Sequence, residues 1–151
     1  QLFTQNQLDE VQRIAQKSSK LIFWVSLPVF IILLFFSKYV MWLYGAEFMK
    51  GAICLSVLTI GQVINTICGP VAQLLNATGY HKAFRNISFI GAVISIILNL
   101  LLIPMYGILG AAIANTISMI AWNIIATIYI KKTFGFFIGY FPFIKWNKTE
   151  S

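Results

Sequence analysis

Residues 86–130 read NISFIGAVISIILNLLLIPMYGILGAAIANTISMIAWNIIATIYI and contain no Asp, Glu, Lys or Arg. A helix needs about 20 apolar residues to cross a hydrocarbon core of about 30 Å. The stretch is long enough for two crossings, and Pro104 and Gly107 mark a turn between them. We therefore predict two membrane-spanning helices, over residues 86–103 and 108–130.

Two further apolar stretches lie upstream, over residues 21–43 and 51–76. Each is long enough to span the hydrocarbon core as a helix. The second contains Gly69-Pro70, and we expect the helix to break at this pair. The fold class predicted from these four stretches is all-α: a polytopic membrane bundle with four transmembrane helices.

The composition excludes an ordinary soluble domain. Hydrophobic residues make up 59% of the chain and charged residues 10%, with a mean hydropathy of +0.83, whereas soluble domains have about 25% charged residues. The net charge of +7 comes from basic residues that flank the spans. A nucleic-acid-binding protein would gather such residues on one polar face. We therefore expect membrane lipids as partners, and no nucleic acid.

The two ends of the chain differ from the spans in composition. Residues 1–20 have apolar side chains at helical spacing, which fits a helix at the cytoplasmic interface or an ordinary connecting helix. Residues 131–151 form an aromatic and basic tail; its segment 135–146 is too short to span and is expected to lie at the interface or to enter a further helix. Because the chain begins at Gln1, we expect a fragment.

The distribution of basic residues predicts the orientation. If the chain crosses four times, two of its Lys and Arg residues, Lys38 and Lys50, lie on one side of the membrane. The other side then carries Arg13, Lys17, Lys20, Lys82, Arg85, Lys131, Lys132, Lys145 and Lys148. Cytoplasmic loops carry the excess of Lys and Arg. Both termini are therefore expected to be cytoplasmic.

One face of the second span is polar. The side chains on this face lie within an arc of about 100°; they are Gln62, Asn65, Thr66, Gly69, Gln73 and Asn76. Carboxamides facing lipid at mid-depth would be costly, so this face must meet other helices or water. Two interpretations stay open: hydrogen bonds between helices, or a water-lined substrate cavity. The break at Gly69 and Pro70 would free backbone carbonyls on the same face.

The third and fourth spans carry small residues at helical spacing, which indicates close helix packing. In the third span these are Ser88, Gly91, Ala92 and Ser95, and in the fourth they are Gly110, Ala114, Ser118 and Ala121. Asn99 lies on the same face of the third span, and Asn115 and Asn123 are polar exceptions in the fourth. We include Asn99 and Asn115 among the candidate cavity residues.

The loop after the second span contains His81, Lys82 and Arg85. They are candidates for attracting an anionic headgroup at the cytoplasmic mouth, although a basic loop here is also what topology alone requires. No span centre carries an ionisable acid, base or His, and no phosphate loop or nucleophile motif occurs. We predict no catalytic residues, no metal site and no cofactor; Cys54 and Cys68 are expected to be buried apolar groups.

Two stretches, residues 43–86 and 98–123, together resemble the polysaccharide (lipid-linked oligosaccharide) flippase branch of the multidrug/oligosaccharidyl-lipid/polysaccharide exporter superfamily. The first matches the family at Gly45, Glu47, Phe48, Gly61, Gln62, Gly69, Pro70, Leu75, Thr78 and Gly79. The second matches it at Asn99, Leu102, Ile103, Pro104, Gly107, Gly110, Ala111 and Ala112.

The resemblance implies a two-lobe transporter with a central cavity, of which this chain is part of the C-terminal lobe. Members move undecaprenyl-pyrophosphate-linked oligosaccharide repeat units across the bacterial inner membrane by alternating access, for synthesis of O-antigen, capsule or teichoic-type surface polysaccharide. The expected partners are this substrate, the remaining N-terminal helices of the transporter and a polysaccharide polymerase.

Two other functions remain open from the sequence. One is a cation-coupled multidrug or metabolite exporter of the same superfamily, which would need a carboxylate in the membrane elsewhere in the protein. The other is a non-transporting membrane scaffold, whose polar faces would be fully packed with no path for solvent.

Overall fold

The computed structural model describes residues 5–135 and 138, with side chains described from Glu10 onward. The described part is helical and contains no strand. Its elements are α1 (Gln5–Phe35), α2 (Ser37–Tyr44), a 3-10 helix (Ala46–Gly51), α3 (Ala52–Cys68), α4 (Val71–Ala77), α5 (His81–Tyr106) and α6 (Ile108–Phe134).

Four stretches of helix are long and apolar enough to cross a membrane. They are Glu10–Phe35, Ala46–Cys68, His81–Tyr106 and Ile108–Phe134. Their lengths of 23 to 27 residues correspond to about 35–40 Å at a rise of 1.5 Å per residue. The predicted all-α membrane bundle with four spans is confirmed.

The first helix differs from the prediction in both of its bounds. It runs without a break through residue 20, where we predicted the end of a separate interfacial helix. No Gly or Pro interrupts it there, and Ser19 Oγ donates to the Ala15 carbonyl at 2.8 Å, so the hydroxyl is paired on its own helix. The helix ends at Phe35 instead of residue 43, because the backbone turns at Phe36 (φ −113°, ψ 20°) before α2 begins.

The third span is also longer than predicted, because it begins at His81 and continues through Pro104 to Tyr106. It ends at Gly107, whose φ of 57° suits glycine and whose N–H donates to the Ile103 carbonyl at 2.8 Å. The fourth helix reaches Phe134. The interfacial interpretation of residues 135–146 lies outside the described residues, apart from Gly135 and Ile138.

The predicted break in the second span is confirmed. α3 ends at Cys68, and α4 begins at Val71. Gly69 has a φ of 82°, a backbone angle that residues other than glycine rarely adopt. Pro70 has no N–H to donate to a helical hydrogen bond. The second span is therefore Ala46–Cys68 instead of the predicted 51–76, and α4 is a separate short helix after the break.

α6 is the central helix of the bundle. A third of its span (33%) is buried, against 11–17% for the other spans. It shares its largest interfaces with α5 and then with α3, while α1 packs on α3. Its buried residues are mostly small: Gly110, Ala112, Ala114, Thr116, Ser118, Asn123, Ala126 and Ile130. Gly91 of α5 is pressed against Trp122. The predicted close packing of the third and fourth spans is confirmed.

A hydrophobic cluster joins α1, α4, α5 and α6 at one end of the bundle. Its fully buried members include Val71, Leu75 and Ile130, together with Ile138 from the segment after α6. Tyr80 adds edge-to-face ring contacts to Tyr129 and Phe134. This cluster fixes the broken helix against its neighbours at the end where α1 and α6 carry their basic residues.

A pair of Gly→Ala variants separates backbone contact from side-chain contact. A Cβ at Gly110 would collide with the Leu102 carbonyl of α5, whereas a Cβ at Gly61 would lie 2.7 Å from the flexible Met119 methyl. We expect Gly110→Ala to destabilise the protein by about 1–3 kcal/mol or more. Gly61→Ala should be nearly neutral, because Ala gains about 1 kcal/mol over Gly in a helix. Thermal unfolding of the purified protein measures both, and equal effects would contradict this packing.

The orientation can be tested with single cysteines in a background without Cys54 and Cys68. We expect a membrane-impermeant maleimide to label Lys38→Cys and Lys50→Cys on intact cells. Lys82→Cys and Lys132→Cys should react only after the cells are opened, since cytoplasmic segments carry the excess of positive charge. Labelling of Lys82→Cys and Lys132→Cys from opposite sides would contradict the four-span topology.

Candidate functional site

The break between α3 and α4 opens onto a cavity of about 410 Å³ between α1, α3, α4 and α6. Its lining residues are Ile22, Asn65, Thr66, Gly69, Pro70, Val71, Ala72, Gln73, Met119 and Trp122. Asn65 and Gln73 stand on opposite sides of the break, and none of the lining residues is charged. A ligand here would therefore meet neutral polar groups. Over the part of the chain that the structure describes, no group of acidic, Cys and His residues could hold a metal ion.

The break is held by two distant parts of the chain. A Cβ at Gly69 would collide with Ser19 Oγ of α1 and would lie 3.1 Å from the Ile138 carbonyl. Ser19 is fully buried, and its Oγ lies 2.9 Å from the same Ile138 carbonyl, so its one hydroxyl hydrogen is shared between the Ala15 and Ile138 carbonyls. The close approach and the positive φ both require glycine at this position. They fix the backbone of the cavity lining at Gly69.

The polar face of the second span is divided between the two roles that the sequence left open. Thr66 is buried, and its hydroxyl donates to the Gln62 carbonyl at 2.8 Å, which is a structural bond within α3. Asn65 is half-buried and takes part in a contact between helices. Gln62, Gln73 and Asn76 are exposed. The face therefore contains both helix-pairing groups and groups open to a ligand or water.

Asn123 is a site residue that the sequence analysis did not select. It is fully buried in α6, and its Nδ2 donates to Asn65 Oδ1 at 3.0 Å. A signal was present, because Thr116, Asn123 and Thr127 follow one another at spacings of 7 and 4 residues on one helical face. Thr116 also reaches α3, where its hydroxyl donates to the Val57 carbonyl at 3.2 Å.

Four of the seven candidate cavity residues do not line the cavity: Gln62, Asn76, Asn99 and Asn115. Gln62 and Asn76 are exposed on α3 and α4, beside the break. The other two lie on α5 and α6. Asn99 donates to the carbonyl and hydroxyl of Ser95, at 2.8 and 3.3 Å, within α5. Asn115 is exposed on α6 and does not line the cavity. The structure therefore brings together Asn65, Thr66 and Gln73 in the cavity lining, but not these four amides.

The basic candidates occupy the first two turns of α5. His81, Lys82 and Arg85 are all exposed, and His81 Nδ1 lies 3.3 Å from Asn76 Oδ1. Cations are unfavourable near the positive N-terminal end of a helix dipole. A bound anion would relieve this repulsion, so the N-terminal end of α5 suits a phosphate better than a further cation.

An apolar groove of about 470 Å³ adjoins the cavity. It runs between α1 and α4, and its lining is Val11, Ile14, Ala15, Ser18, Ile22, Pro70, Gln73, Leu74 and Ala77. Ile22, Pro70 and Gln73 line both spaces. The amide-lined cavity and the apolar groove are therefore neighbours at the helix break.

Comparison with known protein families gives a match to the MatE model over residues 1–101. The chain belongs to the MatE family. This membership confirms the superfamily that the two motif-bearing stretches resemble. The matched residues include α1, the helix break and the amide-bearing part of α3, whereas the cavity-lining Met119 and Trp122 of α6 lie outside the match.

Curated relatives of this MatE chain include proteins named as flippases. A probable flippase of Haloferax volcanii, AglR, is 31% identical over 124 residues, which cover 80% of this chain and 26% of the relative. The probable low-salt glycan biosynthesis flippase Agl15 of the same organism is 28% identical over 131 residues, covering 84% of this chain and 27% of the relative. An uncharacterised membrane protein of Methanocaldococcus jannaschii is 34% identical over 86 residues, covering 55% and 21%.

The chain thus spans about a fifth to a quarter of the length of these relatives. No solved structure matches it.

Cysteine accessibility tests whether the polar face is open to water. Gln73 is exposed at the cavity, whereas Leu75, two residues further along α4, is fully buried. In the full-length protein without Cys54 and Cys68, we expect a charged methanethiosulfonate reagent to modify Gln73→Cys quickly and Leu75→Cys very slowly, because thiolates react only where water reaches them. Equally slow modification at both positions would favour a packed scaffold over a transport cavity.

Proposed function

We propose that this MatE chain forms part of a flippase that moves a lipid-linked oligosaccharide across the cytoplasmic membrane. The observation that carries the proposal is the helix break at Gly69 and Pro70, where an amide-lined cavity meets an apolar groove. One substrate with a sugar portion and a hydrocarbon chain would use both spaces at once. The flippase names of two relatives support the same assignment.

The amides suit the sugar portion of such a substrate. A carboxamide both donates and accepts hydrogen bonds, as a sugar hydroxyl does. Asn65 and Gln73 are placed to make these bonds from the two sides of the break. A cavity lined by neutral groups holds a polar ligand without requiring an opposite charge on it.

The groove suits the hydrocarbon chain, in our proposal that of an undecaprenyl carrier. Its lining is almost entirely apolar, with Ser18 and Gln73 as the polar exceptions. Lipid tails are as apolar as such a lining, so no large hydrophobic gain fixes the chain there. The groove would guide the chain beside the cavity while allowing it to leave.

The basic start of α5 would attract the pyrophosphate that links the two portions. Lys82 and Arg85 are exposed and could form charge-assisted hydrogen bonds to phosphate oxygens. With both termini cytoplasmic, these residues face the leaflet in which the substrate is loaded. Their role would be capture at the mouth, because no cation lines the cavity itself.

The rest of the transport cycle would need the rest of the protein. Helices outside this chain would form the opposite wall, and rocking of the two lobes would expose the cavity to each side in turn. A polysaccharide polymerase is the proposed partner that consumes the product at the outer surface. In this scheme the chain binds and moves its substrate and makes or breaks no covalent bond.

The proposal is tested by replacing the two cavity amides. Each lost hydrogen bond of about 1 kcal/mol costs about five-fold in affinity, so Asn65→Leu with Gln73→Leu should lower surface polysaccharide by about ten-fold or more. The measurement is surface polysaccharide on cells that lack the native gene and express the full-length variant. The matched control is Asn86→Leu, an exposed amide at the start of α5 that does not line the cavity. Normal polysaccharide at normal expression of the double variant would refute the cavity's role.

A further inference from the structure

Three carboxamides form a hydrogen-bonded series from the bundle interior to its surface. Fully buried Asn123 donates through Nδ2 to Asn65 Oδ1 at 3.0 Å. Asn65 donates through Nδ2 to Gln62 Oε1 at 3.3 Å. Gln62 is exposed. Each amide thus gives its nitrogen to the oxygen of the next.

The direction of this series is fixed by a backbone carbonyl. Asn123 Nδ2 also donates to the Met119 carbonyl at 2.9 Å. A carbonyl oxygen only accepts hydrogen bonds, so the side-chain atom of Asn123 that faces it must be the nitrogen. The same nitrogen reaches Asn65, which must then present its oxygen. The nitrogen of Asn65 is left to face Gln62, and the order continues outward.

The fixed direction decides which atoms remain for a ligand. The oxygens of Asn65 and Gln62 each accept one bond within the series and keep one lone pair, while each amide nitrogen carries two hydrogens. One hydrogen on Asn65 Nδ2 and both on Gln62 Nε2 are not used by the series. On this part of α3, Asn65 and Gln62 therefore leave three donor hydrogens unused, against one lone pair on each of their oxygens.

Asn123 is not explained by stability alone. Its Oδ1 is buried and has no hydrogen-bond partner among the described residues. An unpaired buried acceptor is unfavourable, and an apolar side chain would avoid it. A buried residue that leaves one acceptor unpaired at the interface of α3 and α6 but sets the direction of two amides fits a positioning role.

We infer that Asn123 is a positioning residue that turns Asn65 and Gln62 to present N–H donors, so that the site selects a ligand group rich in acceptor oxygens. Phosphate groups and the carboxylates of acidic sugars both have this chemistry. The inference rests on the proposed function and narrows its substrate class. The unused hydrogens of Asn65 and Gln62 can donate to such oxygens.

Binding of matched amphiphiles to the full-length protein tests the inference. Trp122 lines the cavity, so its fluorescence reports occupancy, with Trp122→Phe as the blank. The probes are farnesyl pyrophosphate against farnesol, and octyl glucuronide against octyl glucoside. We expect the wild-type protein to prefer the acidic member of at least one pair. Asn123→Leu should lower affinity for that member by about ten-fold and leave its neutral partner unchanged.

The pair that responds identifies the source of the acceptor oxygens, either the phosphates or an acidic sugar. Gln62→Met provides a second variant at an exposed position: it removes the terminal donors without adding a charge, and it should weaken the same probe. Asn86→Leu should change neither pair. An equal loss for acidic and neutral members, or no loss in both variants, would overturn the inference. If the wild-type protein bound none of the four probes, the proposed function itself would fail.

Discussion

The structure depends on the need to pair every polar group inside hydrocarbon, where water is not available to do so. Several hydroxyls in the spans meet this need on their own helix. Ser56, Thr59, Thr66 and Ser118 each donate to the carbonyl four residues earlier, at 2.7 to 3.1 Å. Such bonds satisfy the hydroxyl but do not connect one helix to another. Cohesion between the helices therefore falls to small residues and to a few side chains that reach across.

α6 supplies most of those reaching side chains. Thr116 and Asn123 bond α3, while Trp122 donates to Ser88 Oγ of α5 at 3.3 Å. Small residues let the backbones of α5 and α6 approach each other closely, as at Gly110. α6 is thus fixed on two sides, and the cavity beside it has one rigid wall. The opposite wall contains the helix break, where α1 and the segment after α6 meet at Ser19 and Ile138.

Local signals in the sequence were sufficient for the spans and for the break. The length of each apolar stretch and the Gly69-Pro70 pair act on the local backbone. Their effect therefore does not depend on how the helices pack. The continuity of α1 was missed because a change from polar to apolar composition near Lys20 looks like a boundary, although nothing there ends a helix. The candidate site was predicted in part. Helical spacing predicts on which face of its own helix each of Asn99, Asn115 and Asn123 lies. Which neighbouring helix that face contacts depends on the packing at Gly91 and Gly110, which only the structure reveals.

The connection between α5 and α6 bears on how the protein enters the membrane. The two helices are separated by Gly107 alone, and the last turn before it and the first turn after it contain no charged residue. Translocating Lys, Arg or Asp through the bilayer centre costs roughly 2.5–3.5 kcal/mol per residue, and this connection carries none of them. The pair is therefore suited to insertion as one preformed hairpin, with Asn123 reaching the lipid phase only when α3 is already there to receive it.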